Sequence, residues 1–287
     1  MSDTLNEERL NLQTGGIKFN DRWRLFLRDS KVRTIFASYK SLHMKNFLGL
    51  LFCLAIASTL LSGRVPGKSE VMADQLRGSW MHQSGDVEQV LLFIDGYSTE
   101  TVYSKSGKKF IETRGGTYNI NANNLNIVYE FDTRDKEQTG QPRTYGFSIK
   151  NNELTINAAG KTLVYKKIEE GSAPLAGLWS ITSRMQDGKV VPIHRTGTRK
   201  TIKILSGARF QWAAIDPGQK QFSGTGGGRY EFAIGKYTEH IEFFSRNSSR
   251  VGASLSFDGK LENGEWHHSG KSSKGDAIYE IWSKDKN

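Results

Sequence analysis

The 287-residue chain has room for one large domain or two of ordinary size. Thirty glycines against five prolines, and Thr and Tyr gathered in short alternating runs, point to an all-β chain rich in turns. A net charge of +10 with no Lys/Arg stripe interleaved with stacking aromatics argues against nucleic acid as a partner. The single cysteine, Cys53, excludes disulfides and thiolate metal sites from the rest of the chain.

Residues 1–43 hold no sustained apolar period and read as a leader outside the folded body. Residues 44–63, "MKNFLGLLFCLAIASTLLSG", carry no charge between Lys45 and Arg64. Phe47 to Leu54 has the length of a signal-peptide apolar region, and Ala55-Ile56-Ala57 offers small residues where a signal peptidase reads them. Two readings follow. Translation from Met44 makes the segment a cleaved signal, the preferred reading. Translation from Met1 leaves residues 46–63 as an uncharged anchor just long enough to span a bilayer, its basic side in the cytoplasm. Both place residues 64–287 outside the cytoplasm, secreted or periplasmic, and a membrane is a partner only if the anchor is retained. Phe52 stands where a lipoprotein signal needs a small residue, which argues against a lipid on Cys53.

The remainder contains itself twice. "LRGSW" (Leu76 to Trp80) recurs as "LAGLW" (Leu175 to Trp179), and "LLFIDGY" (Leu91 to Tyr97) answers "IKILSGA" (Ile202 to Ala208), an offset of 111. "GGTYNI" (Gly115 to Ile120) answers "GGRYEF" (Gly227 to Phe232) at an offset of 112, and "LNIVYEF" answers "YTEHIEF" at the same offset. Two homologous units result, residues 73–168 and 175–287, joined by the polar linker 169–174. The offset grows between Trp179 and Leu205, so the second unit carries a longer connection, about Ser183 to Lys200, with Pro192, His194, Arg195 and Arg199. Val90 to Ile94 reads as an apolar strand closed by a turn at Asp95-Gly96. Tyr118 and Ile120 alternate before a turn at Asn123-Asn124. Tyr230, Phe232 and Ile234 alternate before a turn at Gly235-Lys236, and Tyr237, Glu239, Ile241 and Phe243 return on one face. Asn263-Gly264 makes another hairpin. No helical period appears beyond the signal. Strands this short and regular favour antiparallel barrels of about eight strands per unit.

With "LRGSW" and "LAGLW" in view, the chain resembles the lipocalin-like (calycin) group. The second unit is similar to a family of secreted bacterial lipocalin-like proteins of unknown function, through "LAGLWSI", "ARFQWAAID", "GGGRYEF", "YTEHIEFF", "EWHHSG" and "YEIWSK". The first unit shares the Gly-Ser-Trp start and the Gly-Gly-x-Tyr hairpin. The resemblance implies two tandem lipocalin-like barrels, Trp80 and Trp179 closing their floors, and the Ser183–Lys200 connection lying over a barrel mouth. It implies a fold more than an activity.

Among chemical candidates, Gly226-Gly227-Gly228 leads into a strand rather than a helix, so a barrel bend explains it better than a phosphate loop. Glu239 aligns with Ile127 of the first unit. A carboxylate in an apolar interior needs a partner, a raised pKa or a ligand. His240, His267 and His268 lie in the second unit's strands, but His267 and His268 as immediate neighbours face opposite ways, so a three-ligand metal site is not implied. No nucleophile elbow, triad or paired carboxylates are legible, so no cofactor is expected and a binding protein is preferred over an enzyme. The expected function is non-catalytic binding of a small, partly apolar or amphipathic ligand in the second barrel, lined by Glu239, Tyr237, Trp212, Trp266 and His268. An envelope module binding protein or glycan through its outer faces, and a metal- or haem-dependent activity using the histidines, are the alternatives.

Overall fold

The computed structural model describes Gly67 to Asp285 except Ala159, Ser273 and Lys274. The leader and the signal or anchor segment lie outside the described residues. A helix, α1 (Lys68–Leu76), precedes the first strand. No helical period marked it in the sequence, because it is nine residues long and buries only Leu76. It plugs one end of the first barrel through Leu76 and Met72, which join that barrel's interior cluster. Among the described residues no helix is long and apolar enough to cross a membrane.

The first barrel closes through eight antiparallel strands: β1 (Gly78–Ser84), β2 (Val87–Ile94), β3 (Tyr97–Ser104), β4 (Lys109–Asn121), β5 (Asn124–Asp132), β6 (Pro142–Lys150), β7 (Glu153–Ala158) and β8 (Lys161–Glu169). The second repeats the plan with β9 (Gly177–Gln186), β11 (Lys200–Leu205), β12 (Arg209–Asp216), β13 (Gln221–Ala233), β14 (Lys236–Phe244), β15 (Ser254–Glu262), β16 (Glu265–Lys271) and β17 (Ala277–Lys284), closed by β9 on β17. One strand has no counterpart in the first barrel: β10 (Lys189–Pro192), folded back on the outer half of β9. It accounts for part of the longer connection.

The two floors are built alike. The indole of Trp80 donates to the Leu76 carbonyl and that of Trp179 to the Leu175 carbonyl, each at 2.8 Å. Both tryptophans are buried. The long strands β4 and β13 bend at their glycine pairs. Gly115 pairs with Phe131 and Gly116 with Tyr129, leaving Glu130 bulged. Gly227 pairs with Phe243 and Gly228 with Ile241, leaving Glu242 bulged. A Cβ on Gly228 would sit 2.1 Å from the His240 carbonyl oxygen, and one on Gly116 2.0 Å from that of Val128. Only glycine permits the close approach at these bends.

The bulge corrects the expectation that Tyr237, Glu239, Ile241 and Phe243 share a face. One extra residue reverses the alternation, so Ile241 points into the barrel and Phe243 out of it. The hairpin turns also differ by one residue from expectation. Ile234-Gly235 and Ala122-Asn123 occupy them, because pairing continues to Ala233–Lys236 and Asn121–Asn124.

Phe243 turns outward into the surface where the barrels meet. Val90, Leu92, Tyr103 and Phe131 of the first barrel form one buried cluster with Ile202, Ile204, Ile215 and Phe243 of the second. Equivalent positions of the repeat therefore meet each other, an arrangement like an isologous dimer interface within one chain. Gln211 crosses the seam at its centre, accepting from Thr101 and donating to Thr113, both at 3.0 Å. At the edge the Tyr103 hydroxyl lies 2.7 Å from Glu88 and 3.0 Å from the bulged Glu242, and Lys200 reaches the bulged Glu130 at 2.7 Å. With polar groups matched and apolar faces covered, the seam satisfies the conditions for a shared core.

Candidate binding site at the mouth of the second barrel

The interior of the second barrel brings four of the five expected site residues together. Tyr237, Glu239, Trp266 and His268 are buried among one another, the Tyr237 ring 4.8 Å from Trp266 and 5.5 Å from His268. Trp212, half-buried, packs against the same apolar cluster beside Phe244, edge-on at 5.5 Å, and not among these four.

The partner Glu239 requires is Lys203, whose Nζ donates to Oε1 at 2.8 Å. Lys203 was not legible as an interior residue, because the offset of 111 over "IKILSGA" set it opposite Leu92. Strand pairing fixes the register instead. Trp80 faces Leu91 and Trp179 faces Lys203, so the offset is already 112 at β11. The ammonium is also surrounded by aromatic faces, 5.1 Å from the Tyr237 ring centre, 5.0 Å from Trp266 and 5.2 Å from Trp282. That geometry favours a desolvated cation. Burial and the neighbouring Glu239 carboxylate push the Tyr237 hydroxyl well above its ordinary pKa, so it stays protonated.

From this pair a second polar chain leads outward. His268 Nδ1 lies 3.2 Å from Glu280 Oε2, which also accepts from the Trp282 indole at 3.0 Å. Burial, reinforced by the Lys203 charge, lowers the His268 pKa below 6.5 and keeps the ring neutral at pH 7. Burial alone would raise the Glu280 carboxyl, but the His268 hydrogen bond and the Lys203 charge outweigh it, and its pKa is lowered. The Trp266 indole N–H and His268 Nε2 have no hydrogen-bond partner. His240 and His267 lie outside this chain, at 2.8 Å from Ser254 and Tyr279 respectively. Among the described residues no group of three His, Cys, Asp or Glu is placed to hold a metal ion.

Glu280 and Trp282 reach the barrel mouth, where they and Ile181 form the floor of an open hollow of about 970 Å³. Its roof is the connection from β10 to β11, residues 193–199, the last stretch of the Ser183–Lys200 connection, whose earlier part is the end of β9 and β10. Three ties hold that roof. The Ile193 N–H donates to the Thr182 carbonyl at 2.7 Å. Thr198 Oγ1 donates to Asp216 and accepts from the Gly218 N–H at 2.9 Å. Lys200 at its end is anchored on Glu130. Arg195 and Arg199 on the roof and Arg184 on β9 line the hollow and are exposed, and among the described residues their side chains form no hydrogen bond or ion pair. Arg184 stands across the strand pair from Glu280, whose carboxylate already serves His268 and Trp282.

The first barrel differs inside. Its interior keeps a cavity of about 50 Å³ beside an ion pair, lined by Tyr129, Tyr145 and Tyr165. Arg114 directs Nε and Nη2 to Glu100 Oε2 at 2.8 and 2.6 Å, and Gln89 donates to Oε1 at 2.7 Å. The Tyr129 and Tyr145 hydroxyls meet at 2.9 Å. Room for a water or two, with polar groups to hold them, fits such a space.

No family model matches the chain, and no curated protein matches it. Among solved structures it is similar to the β subunit of DNA polymerase III from Thermotoga maritima, at 7% identity over 77% of this chain and 79% of that one, with a TM-score of 0.12. A likeness at that level carries no argument about fold or function.

Proposed function

We propose that the protein is a non-catalytic binder of a small, partly apolar ligand, held at the second barrel, and that it is a member of the lipocalin-like group acting outside the cytoplasm. The hollow at the mouth carries this reading. At about 970 Å³ it is of the size that takes small organic molecules, and it sets the apolar Ile181 within a mostly polar lining. The site lies outward of the position expected from the sequence. Lys203 and the rings around it, the buried Trp282 among them, occupy the interior, while the half-buried Ile181 presents apolar surface to the opening. The lipocalin-like reading draws support from the eight-stranded closure of both barrels and from the Gly-x-Trp floors, although a fold does not specify a ligand.

Titration with a neutral, environment-sensitive naphthylamine dye tests the site. The expected result is a saturable rise in dye emission that weakens at least fivefold in an Ile181→Glu variant, whose carboxylate would stand on the apolar floor. Native mass spectrometry of protein from its own host is expected to show a co-purifying molecule of a few hundred daltons. No saturable dye binding, or binding indifferent to Ile181→Glu, would overturn the proposal.

A further inference from the structure

We infer that the ligand of the mouth hollow is an amphipathic anion, a molecule with a carboxylate or phosphate head held by Arg184, Arg195 and Arg199 and an apolar body laid against Ile181 at the edge of Trp282. The inference rests on the binding reading above and adds the chemistry of the head group. Three arginines line one hollow, and their side chains have no partner among the described residues. Among the described residues neither of its two carboxylates forms an ion pair with them: Asp216 accepts from Thr198, and Glu280 from Trp282 while contacting His268, so three positive charges face two negative ones. The roof from residue 193 to residue 201, "IHRTGTRKT", contains no acidic residue.

An ordinary basic surface would be solvated and its side chains loosely held. Here two of the three arginines ride on a segment tied at Thr182, Asp216, Gly218 and Glu130, so less freedom is lost when an anion is gripped. Planar guanidiniums match carboxylate and phosphate oxygens in pairs, which an ammonium does not. Lys200, which also lines the hollow, is spent on Glu130. The head group and the apolar body therefore find their counterparts in one space, the first at the roof and rim, the second on the floor.

Competition against the neutral dye with four ligands of one ten-carbon tail tests this: decanol, decanoate, decyl phosphate and decyltrimethylammonium. Decanoate and decyl phosphate are expected to displace the dye at concentrations at least tenfold below decanol, and the cation more weakly than decanol. In an Arg195→Gln/Arg199→Gln variant the anions should fall to the level of decanol, with decanol itself unchanged within twofold. Both side chains are exposed, so the thermal midpoint should not move, and that measurement guards against misfolding. Equal displacement by decanol and decanoate overturns the inference and leaves the binding reading standing. Failure of all four to displace the dye, or of the dye to bind, defeats the binding reading itself. Vesicles of neutral lipid with and without an anionic lipid separate a free amphiphile from a bilayer surface. Sedimentation with the anionic vesicles, with no displacement by monomeric decyl phosphate, overturns the inference in favour of a membrane face.

Discussion

Among the described residues each barrel holds one Lys– or Arg–carboxylate pair in its interior, and each pair stands where the sibling barrel is apolar or empty. In the second, Lys203 bonds Glu239 at 2.8 Å, and the aligned residues of the first are Leu91 and Ile127, both buried apolar side chains. In the first, Arg114 bonds Glu100 at 2.6 Å. The aligned residues of the second are Gly226 and Trp212, and the indole lies over the glycine so closely that a Cβ there would meet it at 2.7 Å. The barrel therefore accepts a charge pair at either of two levels, provided both members come together. Location decides the consequence. The Arg114 pair leaves a cavity of about 50 Å³ beside it, whereas Lys203 is enclosed by three rings and connects through His268 and Glu280 to the mouth.

The largest expected effect comes from breaking that symmetry one residue at a time. Glu239→Ile alone strands the Lys203 ammonium in an apolar interior, which is expected to cost about 3–5 kcal/mol of unfolding free energy. Adding Lys203→Leu reproduces the first barrel's Leu91 and Ile127 and is expected to recover most of the loss. Urea denaturation of both variants reads the coupling directly. A single substitution costing under about 1 kcal/mol, or a double variant no better than the single, would contradict the account of a pair tolerated only as a pair.

The two-barrel plan was legible in the sequence because barrels write themselves as alternation, turns and repeats, and the glycine bends because the repeat showed them twice. The seam between the barrels was less visible, although "VLLFI" already carried its mark. An unbroken apolar run has no solvent face, and Val90 and Leu92 indeed pack outward while Leu91 and Phe93 pack inward. Lys203 escaped notice through a one-residue error in alignment, which in a strand exchanges inside for outside. The hollow was foreshadowed by the length and arginines of the extra connection. Its floor was not, since Ile181 and Trp282 come from strands a hundred residues apart that only barrel closure joins.

A smaller effect separates the barrels by pH. His268 is buried with Lys203, Glu239 and Glu280 around it, and its pKa is lowered from 6.5 by burial first and Lys203 second. Below pH 6.5 the unfolded chain takes up a proton that the folded one refuses, so stability falls as pH falls toward the folded value. Glu280 acts in the same direction at lower pH. Its carboxyl, lowered from 4.5 in the fold, stabilises the structure above that pH and stops doing so once acid protonates it. The polar centre of the first barrel is an Arg–Glu pair without a histidine. Urea midpoints measured from pH 7 down to pH 4.5 should therefore decline less steeply in His268→Gln than in the parent. An unchanged slope would remove His268 as the cause.

The smallest effect lies at the hairpins that close β4 on β5 and β13 on β14. Both first turn residues are left-handed, Ala122 at φ 53° and Ile234 at φ 51°, and Gly235 follows at 70°. Two successive positive φ angles make the second hairpin a type I′ turn, for which Asn-Gly is the preferred pair. A β-branched side chain opposes that conformation more than alanine does, and Ile234 is fully exposed, so packing returns nothing for the strain. Ile234→Asn is expected to stabilise the protein by up to about 1 kcal/mol, and Ala122→Asn by less. The order of the two gains, read from urea midpoints, is what matters. A larger gain at Ala122 would mean that the turn residues, unlike the buried pairs, are not governed by local backbone chemistry.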